Sequence, residues 1–242
     1  PVANPSFQYI FCKGYYSRIA QDKLNGRVCR LLVGPLLHSL QLVYGHHDFL
    51  AYLSHFRYAL SGEFAMRTRV LNNIKIPSDW GLEIGILSEI YRNYSPKRSC
   101  QIEILDNYEH KHQVLTQEDG TGGLKRMSQD IILSLLRKLA ILGVNVTSDS
   151  FRVLKATYYR SALDMIEIYH HDAVMNGLSF DQNVEEIAVE LFTQSILEAG
   201  QAFIDRPNDQ PFIPSWNRVQ SAFPNIFEEI YQAVEQDNLG SV

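Results

Sequence analysis

Along the chain, the spacing of apolar and polar positions changes character near residue 115. Residues 1–115 carry short apolar runs broken by polar clusters and glycines, whereas residues 116–242 carry long stretches of helical periodicity. Tyr9, Ile10, Phe11 and Cys12 predict a buried strand over residues 8–12. Val28, Leu31, Leu32, Leu36 and Leu40 recur at helical spacing behind Asn25 as a candidate N-cap, with Pro35 placed to kink or divide the helix. Residues 44–55 read as a loop and a short helix, and residues 56–60 as a strand. Ser61-Gly62-Glu63 then turns into a helix bearing Phe64, Met66, Val70 and Leu71. Another helix begins at Ser78-Asp79-Trp80-Gly81-Leu82-Glu83, with Leu82, Ile86, Leu87, Ile90 and Tyr91 on one side. Residues 101–105 predict the next strand.

Beyond a polar, glycine-bearing loop at 117–123, suited to closing over a ligand, three helices are expected at 124–142, 149–176 and 181–204. Thr147, Ser148 and Asp149 offer caps for the second of them. A proline-bearing break at 207–214 precedes a last helix over 216–234. The expected organisation is therefore an α/β part at 1–115 and an acidic helical extension at 116–242.

Composition narrows the class. With 242 residues, 45% hydrophobic and 20% charged, the chain reads as globular. No apolar run approaches the roughly 18 residues that a membrane helix needs, so no membrane association is expected. The three cysteines (Cys12, Cys29, Cys100) are far apart and form no Cys-x-x-Cys, which fits a reducing, cytoplasmic setting and argues against a disulfide frame or zinc knuckle. Nothing at the start of the sequence signals secretion.

Charge is unevenly spread. The net value is −5, but residues 161–242 hold 14 acids against two arginines, a balance of −12. Residues 1–160 hold the other 13 acids and 20 bases, a balance of +7. An acidic tail does not suit a nucleic-acid backbone. The cluster Lys13, Arg18, Lys23, Arg27 and Arg30 better suits a small anionic ligand.

Candidate chemistry gathers in the first part. Gly14, near the end of the first strand, permits a bend or a close backbone approach, and strand ends are where open α/β sheets bind ligands. Arg27, at a helix start behind Gly26, offers a planar fork to a phosphate or carboxylate. Glu83 lies in the first turn of its helix, where an acid either complements the helix dipole or acts on a ligand. His110 and His112 share a face if the backbone is extended, and one or both could bind a metal. The pairs His46-His47 and His170-His171 diverge from one another and read as surface.

Taken in order, Phe11-Cys12-Lys13-Gly14-Tyr15-Tyr16-Ser17-Arg18, Gly26-Arg27-Val28, Gly62-Glu63-Phe64-Ala65-Met66-Arg67, Trp80-Gly81-Leu82-Glu83-Ile84-Gly85 and His110-Lys111-His112-Gln113 resemble one family, the retaining glucosyl-3-phosphoglycerate synthases among GT-A glycosyltransferases. The match covers roughly residues 1–115, and the helical tail resembles a longer variety of the family.

The resemblance implies the acceptor and metal half of a Rossmann-like GT-A fold, followed by a mainly helical extension. It implies transfer of glucose from a nucleotide-diphosphate glucose to 3-phosphoglycerate with retention of configuration. Gly26, Arg27 and Cys29 would hold the acceptor phosphate, where some relatives have Thr at the position of Cys29, and Lys13 belongs to the same basic cluster. Leu60 would lie beside the reacting sugar with its carbonyl near the anomeric centre. Glu83 would bind sugar hydroxyls or steady the developing cation. His110, or alternatively His112, would ligate Mg²⁺ or Mn²⁺.

The family's nucleotide-binding half carries an Asp-x-Asp motif and is expected ahead of Pro1, because no Asp-x-Asp occurs in these 242 residues. This chain alone is accordingly expected to be inactive or nearly so. A homodimer and a cytoplasmic location are also expected. The runner-up reading is a mannosyl-3-phosphoglycerate synthase. A reading of another class is a non-catalytic binding or assembly module that keeps the acceptor half.

Overall fold

A computed structural model of the chain describes residues 8–104, 123–207 and 212–239. The fold is mixed α/β. Its central sheet has the order β4-β1-β6, built from β1 (Phe11–Tyr15), β4 (Phe64–Met66) and β6 (Ser99–Glu103). β1 pairs antiparallel with β4, Lys13 opposite Phe64, and parallel with β6, Cys12 opposite Cys100.

The first strand starts three residues later than its apolar run suggests and carries on through Lys13, Gly14 and Tyr15. Long-range partners explain the shift. The Gly14 N–H donates to the Glu63 carbonyl at 2.7 Å, and a Cβ on Gly14 would stand 3.0 Å from the Glu63 Cβ and 2.6 Å from Ile104. Only glycine lets that backbone come so close.

A two-residue hairpin follows, β2 (Ile19–Ala20) and β3 (Lys23–Leu24). Its turn residues Gln21 and Asp22 both have positive φ, 52° and 55°, as a twist-matched hairpin turn requires. Asn25 serves this hairpin rather than capping the next helix. Its amide donates to the carbonyls of Ala20 and Lys23, and the N-cap position falls to Arg27, whose side chain makes no cap bond.

The helix itself is divided as Pro35 foretold. A π-helical stretch, Val28–Val33, runs into α1 (Gly34–Tyr44). Proline has no N–H to give the Leu31 carbonyl four residues back. That carbonyl instead accepts the buried Tyr158 hydroxyl at 2.6 Å. Leaving it unpaired would cost about 1–3 kcal/mol.

α2 (Asp48–Ser54) matches the expected short helix, its first turn held by His47 Nδ1 accepting from the Phe49 N–H. Residues 56–60 do not form a strand. They turn, with no strand alongside among the described residues, and the Gln101 side chain meets their backbone instead by accepting from the Arg57 N–H at 2.8 Å. The helix expected after Glu63 is likewise replaced by β4, a short α3 (Thr68–Leu71) and β5 (Ile76–Pro77), because β1 offers Phe64–Met66 an open edge. α4 (Leu82–Asn93) appears as expected and buries Ile86, Leu87 and Ile90.

In the second part, α5 (Gly123–Ile141), α6 (Ser148–Met175) and α7 (Gln182–Asp205) follow the periodicity closely. Thr147 and Ser150 form a reciprocal capping box on α6, and Asp181 caps α7. β7 (Phe212–Ile213) returns to pair with β5. The single helix expected over 216–234 is broken into α8 (Trp216–Ala222) and α9 (Ile226–Leu239), because Pro224 cannot continue a helix. α7 packs against both α5 and α6, and α6 packs against α1. One connected set of buried apolar residues runs from Ile10 and Phe11 through α1, α2 and α4 to Phe203 of α7. Among the described residues, no helix is long and apolar enough to cross a membrane. The three cysteines are free thiols.

Candidate active site

A cavity of about 330 Å³ opens beyond the C-terminal end of β1. The β2–β3 hairpin builds one wall. It carries Arg18 at its entry and releases Asn25, Gly26 and Arg27 at its exit, and the Asn25 N–H closes it on the Arg18 carbonyl at 2.7 Å. Gly26 turns the chain into the π-helical stretch at φ 76°, a conformation that disfavours any residue with a Cβ. The turn before β4 supplies Tyr58, Leu60 and Gly62, and the start of α4 supplies Trp80 and Glu83. Leu124, Met127 and Ile131 of α5 close the far side.

Three arginines, Arg18, Arg27 and Arg30, face this space. The Arg18 guanidinium is sandwiched by the rings of Tyr16 and Tyr58, at 4.4 and 4.1 Å. Arg30 lies over Tyr169 and donates to the Leu24 and Asn25 carbonyls. Arg27 and Arg30 share one carboxylate, that of Glu185 in α7, at 3.2 Å each. Even so, Arg18 Nε, Arg27 Nε and Arg30 Nη1 are buried and make no hydrogen bond among the described residues. Buried donors of that kind are rarely left unpaired. The three arginines that carry them line one cavity and form a positive cradle suited to an anion.

Leu60 and Glu83 line the same cavity. The Glu83 carboxyl is held above the usual carboxylate range, first by burial and further by Glu63, against the pull of its own N–H and of Lys13. Lys13 itself does not line the cavity. Its side chain is 2% exposed and donates to the Ser61 carbonyl, over the face of Phe64 at 5.5 Å. Burial lowers its pKa to about 8, while Glu83, Cys29 and Glu63 oppose that shift. Lys13 thus pins the Leu60–Glu63 turn from beneath. The Ser61 hydroxyl ties the same turn from above by donating to Glu63 Oε2 at 2.6 Å.

Of the residues singled out by sequence, the structure brings Gly26, Arg27, Leu60 and Glu83 to one cavity. Cys29 stands behind it, in an adjoining pocket that shares Arg18, Gly26 and Tyr58. Burial raises its thiol to about 11, and it contacts Tyr58 and the Leu60 backbone. His110, His112 and the loop at 117–122 lie outside the described residues. Among the described residues, no group of three or more His, Cys, Asp or Glu comes together as a metal site. These residues alone do not fit Mg²⁺ or Mn²⁺, which take several oxygen ligands.

Sequence reasoning missed Glu185 and the α5 wall. Neither had a local signal, since Glu185 lies 155 residues from Arg30 and reads as one more acid on an acidic helix.

No protein-family model matches the chain. A protein named glucosyl-3-phosphoglycerate synthase from Persephonella marina is 42% identical over 238 residues, spanning 98% of this chain and 59% of that protein. A second of the same name, from Methanococcoides burtonii, is 41% identical over 240 residues, spanning 98% of this chain and 58% of that protein. The similarity therefore extends past residue 115 through the helical part, and the chain spans a little under three fifths of these relatives. The chain is a homologue of the glucosyl-3-phosphoglycerate synthases, which are glycosyltransferases, over nearly all of its own length.

Proposed function

We propose that the protein carrying this chain transfers a glucosyl group from a nucleotide-diphosphate glucose to 3-phosphoglycerate with retention of configuration. The chain supplies the acceptor half of a GT-A site. Residues 1–115 form its catalytic wall, and residues 116–242 form the helical part that closes it. The reading includes a cytoplasmic homodimer. The observation that carries it is the single cavity joining the arginine cradle to Leu60 and Glu83, in a chain related to two proteins of that name.

In this reading the acceptor phosphate lies against Arg18, Arg27 and Arg30, with the Gly26 backbone close behind. The acceptor hydroxyl then points towards Leu60, whose carbonyl lies beside the anomeric centre. Glu83 binds the sugar hydroxyls and steadies the positive charge that grows as the glycosidic bond breaks. Attack comes from the side on which the nucleotide diphosphate leaves. No protein nucleophile is needed, because positioning and charge supply most of the rate. A divalent ion would neutralise the leaving diphosphate, with His110, or alternatively His112, as one of its ligands.

Arg27→Ala tests the cradle. The KM for 3-phosphoglycerate should rise roughly 10- to 100-fold, as expected for loss of one charge-assisted contact, with the KM for the donor changed less than twofold. Steady-state kinetics at varied acceptor and donor give both values. Equal rises in the two would remove Arg27 from the phosphate site.

A further inference from the structure

The buried carboxylate behind the arginine cradle has no part in the scheme above. Glu185 sits in the first turn of α7, is 5% exposed, and reaches across to the hairpin side of the cavity. Oε1 contacts Arg27 Nη2 at 3.2 Å and Arg30 Nη2 at 3.3 Å, and Oε2 contacts Arg30 Nη2 at 3.2 Å. A second tether lies close by. Ser179, in the link between α6 and α7, donates its N–H and its hydroxyl to the Asp22 carbonyl at 2.7 and 3.0 Å, gripping the turn of the β2–β3 hairpin. The helical part therefore holds the segment that carries Arg18, Gly26 and Arg27 at two points.

We propose that Glu185 is a positioning residue for the acceptor phosphate: it fixes the side chain of Arg27 so that the cradle discriminates phosphorylated from unphosphorylated acceptors. This rests on the acceptor reading given above. The charges support it. Three guanidinium groups less one carboxylate leave an excess of two positive charges, which matches the roughly −1.5 to −2 of a phosphomonoester. The geometry says which arginine depends on it. Arg30 is also held by the Leu24 and Asn25 carbonyls and by the Tyr169 ring. Among the described residues, Glu185 is the hydrogen-bond partner of the Arg27 side chain, which is 27% exposed. Without Glu185, two adjacent guanidinium groups repel and Arg27 is free to swing towards solvent.

The test uses the full protein, with Glu185→Gln and Glu185→Asp compared with wild type. 3-Phosphoglycerate and glycerate, the same acid without its phosphate, serve as acceptors. For Glu185→Gln the KM for 3-phosphoglycerate should rise about 10-fold, and the preference for 3-phosphoglycerate over glycerate should fall by a similar factor. The donor KM should stay within twofold. Glu185→Asp keeps the charge but shortens the reach, and should fall between the two. A purely structural role would lower turnover with both acceptors alike and leave the preference intact, which overturns the proposal. A fall in KM for Glu185→Gln would also overturn it, by showing that the carboxylate competes with phosphate for Arg27. If wild type itself shows no preference for 3-phosphoglycerate, the acceptor reading fails and this inference with it. If wild type shows the preference and both variants retain it, only the role of Glu185 fails.

Discussion

Glu83→Gln will lower kcat by about two to three orders of magnitude, the usual cost of removing one group aimed at developing charge. Glutamine keeps the shape and most of the hydrogen bonding of Glu83 but cannot supply negative charge to a sugar that is becoming cationic. Folding will not explain the loss. Burial holds the Glu83 carboxyl above the ordinary carboxylate range, so the folded chain keeps this proton at pH values where the unfolded chain has released it. Ionised Glu83 therefore costs stability at neutral pH, a cost that begins as the pH rises through the unfolded value of 4.5 and is fully present above the folded one. The variant should melt at the same temperature or higher. The pH profile gives an independent signature. The acid limb of kcat/KM in wild type should fall above the ordinary carboxylate range and should be absent from the residual activity of Glu83→Gln. A loss smaller than about threefold would remove Glu83 from the reaction centre.

Lys13→Met will lower kcat by about 10- to 100-fold without Lys13 touching the cavity, because an ångström of misplacement near reacting atoms can cost that much. The substitution removes the donor that pins the Ser61 carbonyl and the cation that faces Glu83 and Glu63. The Leu60–Glu63 turn loosens, and the Glu83 carboxyl rises further. The sign of the stability effect follows from the direction of the lysine shift. The folded pKa is about 8 against 10.5 unfolded. Between those values the unfolded chain binds more protons than the folded one, so wild-type stability rises with pH across that window, by about 3 kcal/mol for a shift of this size. Below pH 8 the full cost of a buried ammonium is present. Chemical denaturation of wild type and Lys13→Met at intervals from pH 7 to 10.5 should show a rising contribution that only wild type possesses. Parallel profiles would mean that Lys13 is not a buried titrating group.

The elements that could be read from sequence were those whose pattern is local and long. α5, α6 and α7 follow their apolar period almost to the residue, and the Thr147 and Asp181 caps appear where the side chains allow. The α4 start and the place of Glu83 in its first turn were equally local. What failed was decided at a distance. Residues 56–60 have the composition of a strand, but among the described residues no strand lies alongside, and the Gln101 side chain meets the Arg57 N–H instead. In sequence Lys13 reads as part of the anion-binding cluster at a strand end, because its partner, the Ser61 carbonyl, is 48 residues away. The cradle was legible only in part. The basic cluster from Lys13 to Arg30 pointed to an anion, but the Tyr58 ring that stacks on Arg18 and the Glu185 that binds Arg27 come from other elements. In sequence the helical part reads as an extension for the same reason, since neither α5 nor α7 carries a local mark of its place beside the cavity.

In the proposed function, one cavity joins a phosphate-binding arginine cradle to a sugar-transfer centre. Its most direct test is nucleotide release by the full protein, incubated with Mg²⁺ and nucleotide-diphosphate glucose, in the presence of 3-phosphoglycerate and, separately, of glycerate. Release should saturate with 3-phosphoglycerate and fall sharply with glycerate. No release with any glucose or mannose donor, or equal release with and without the acceptor phosphate, would contradict it.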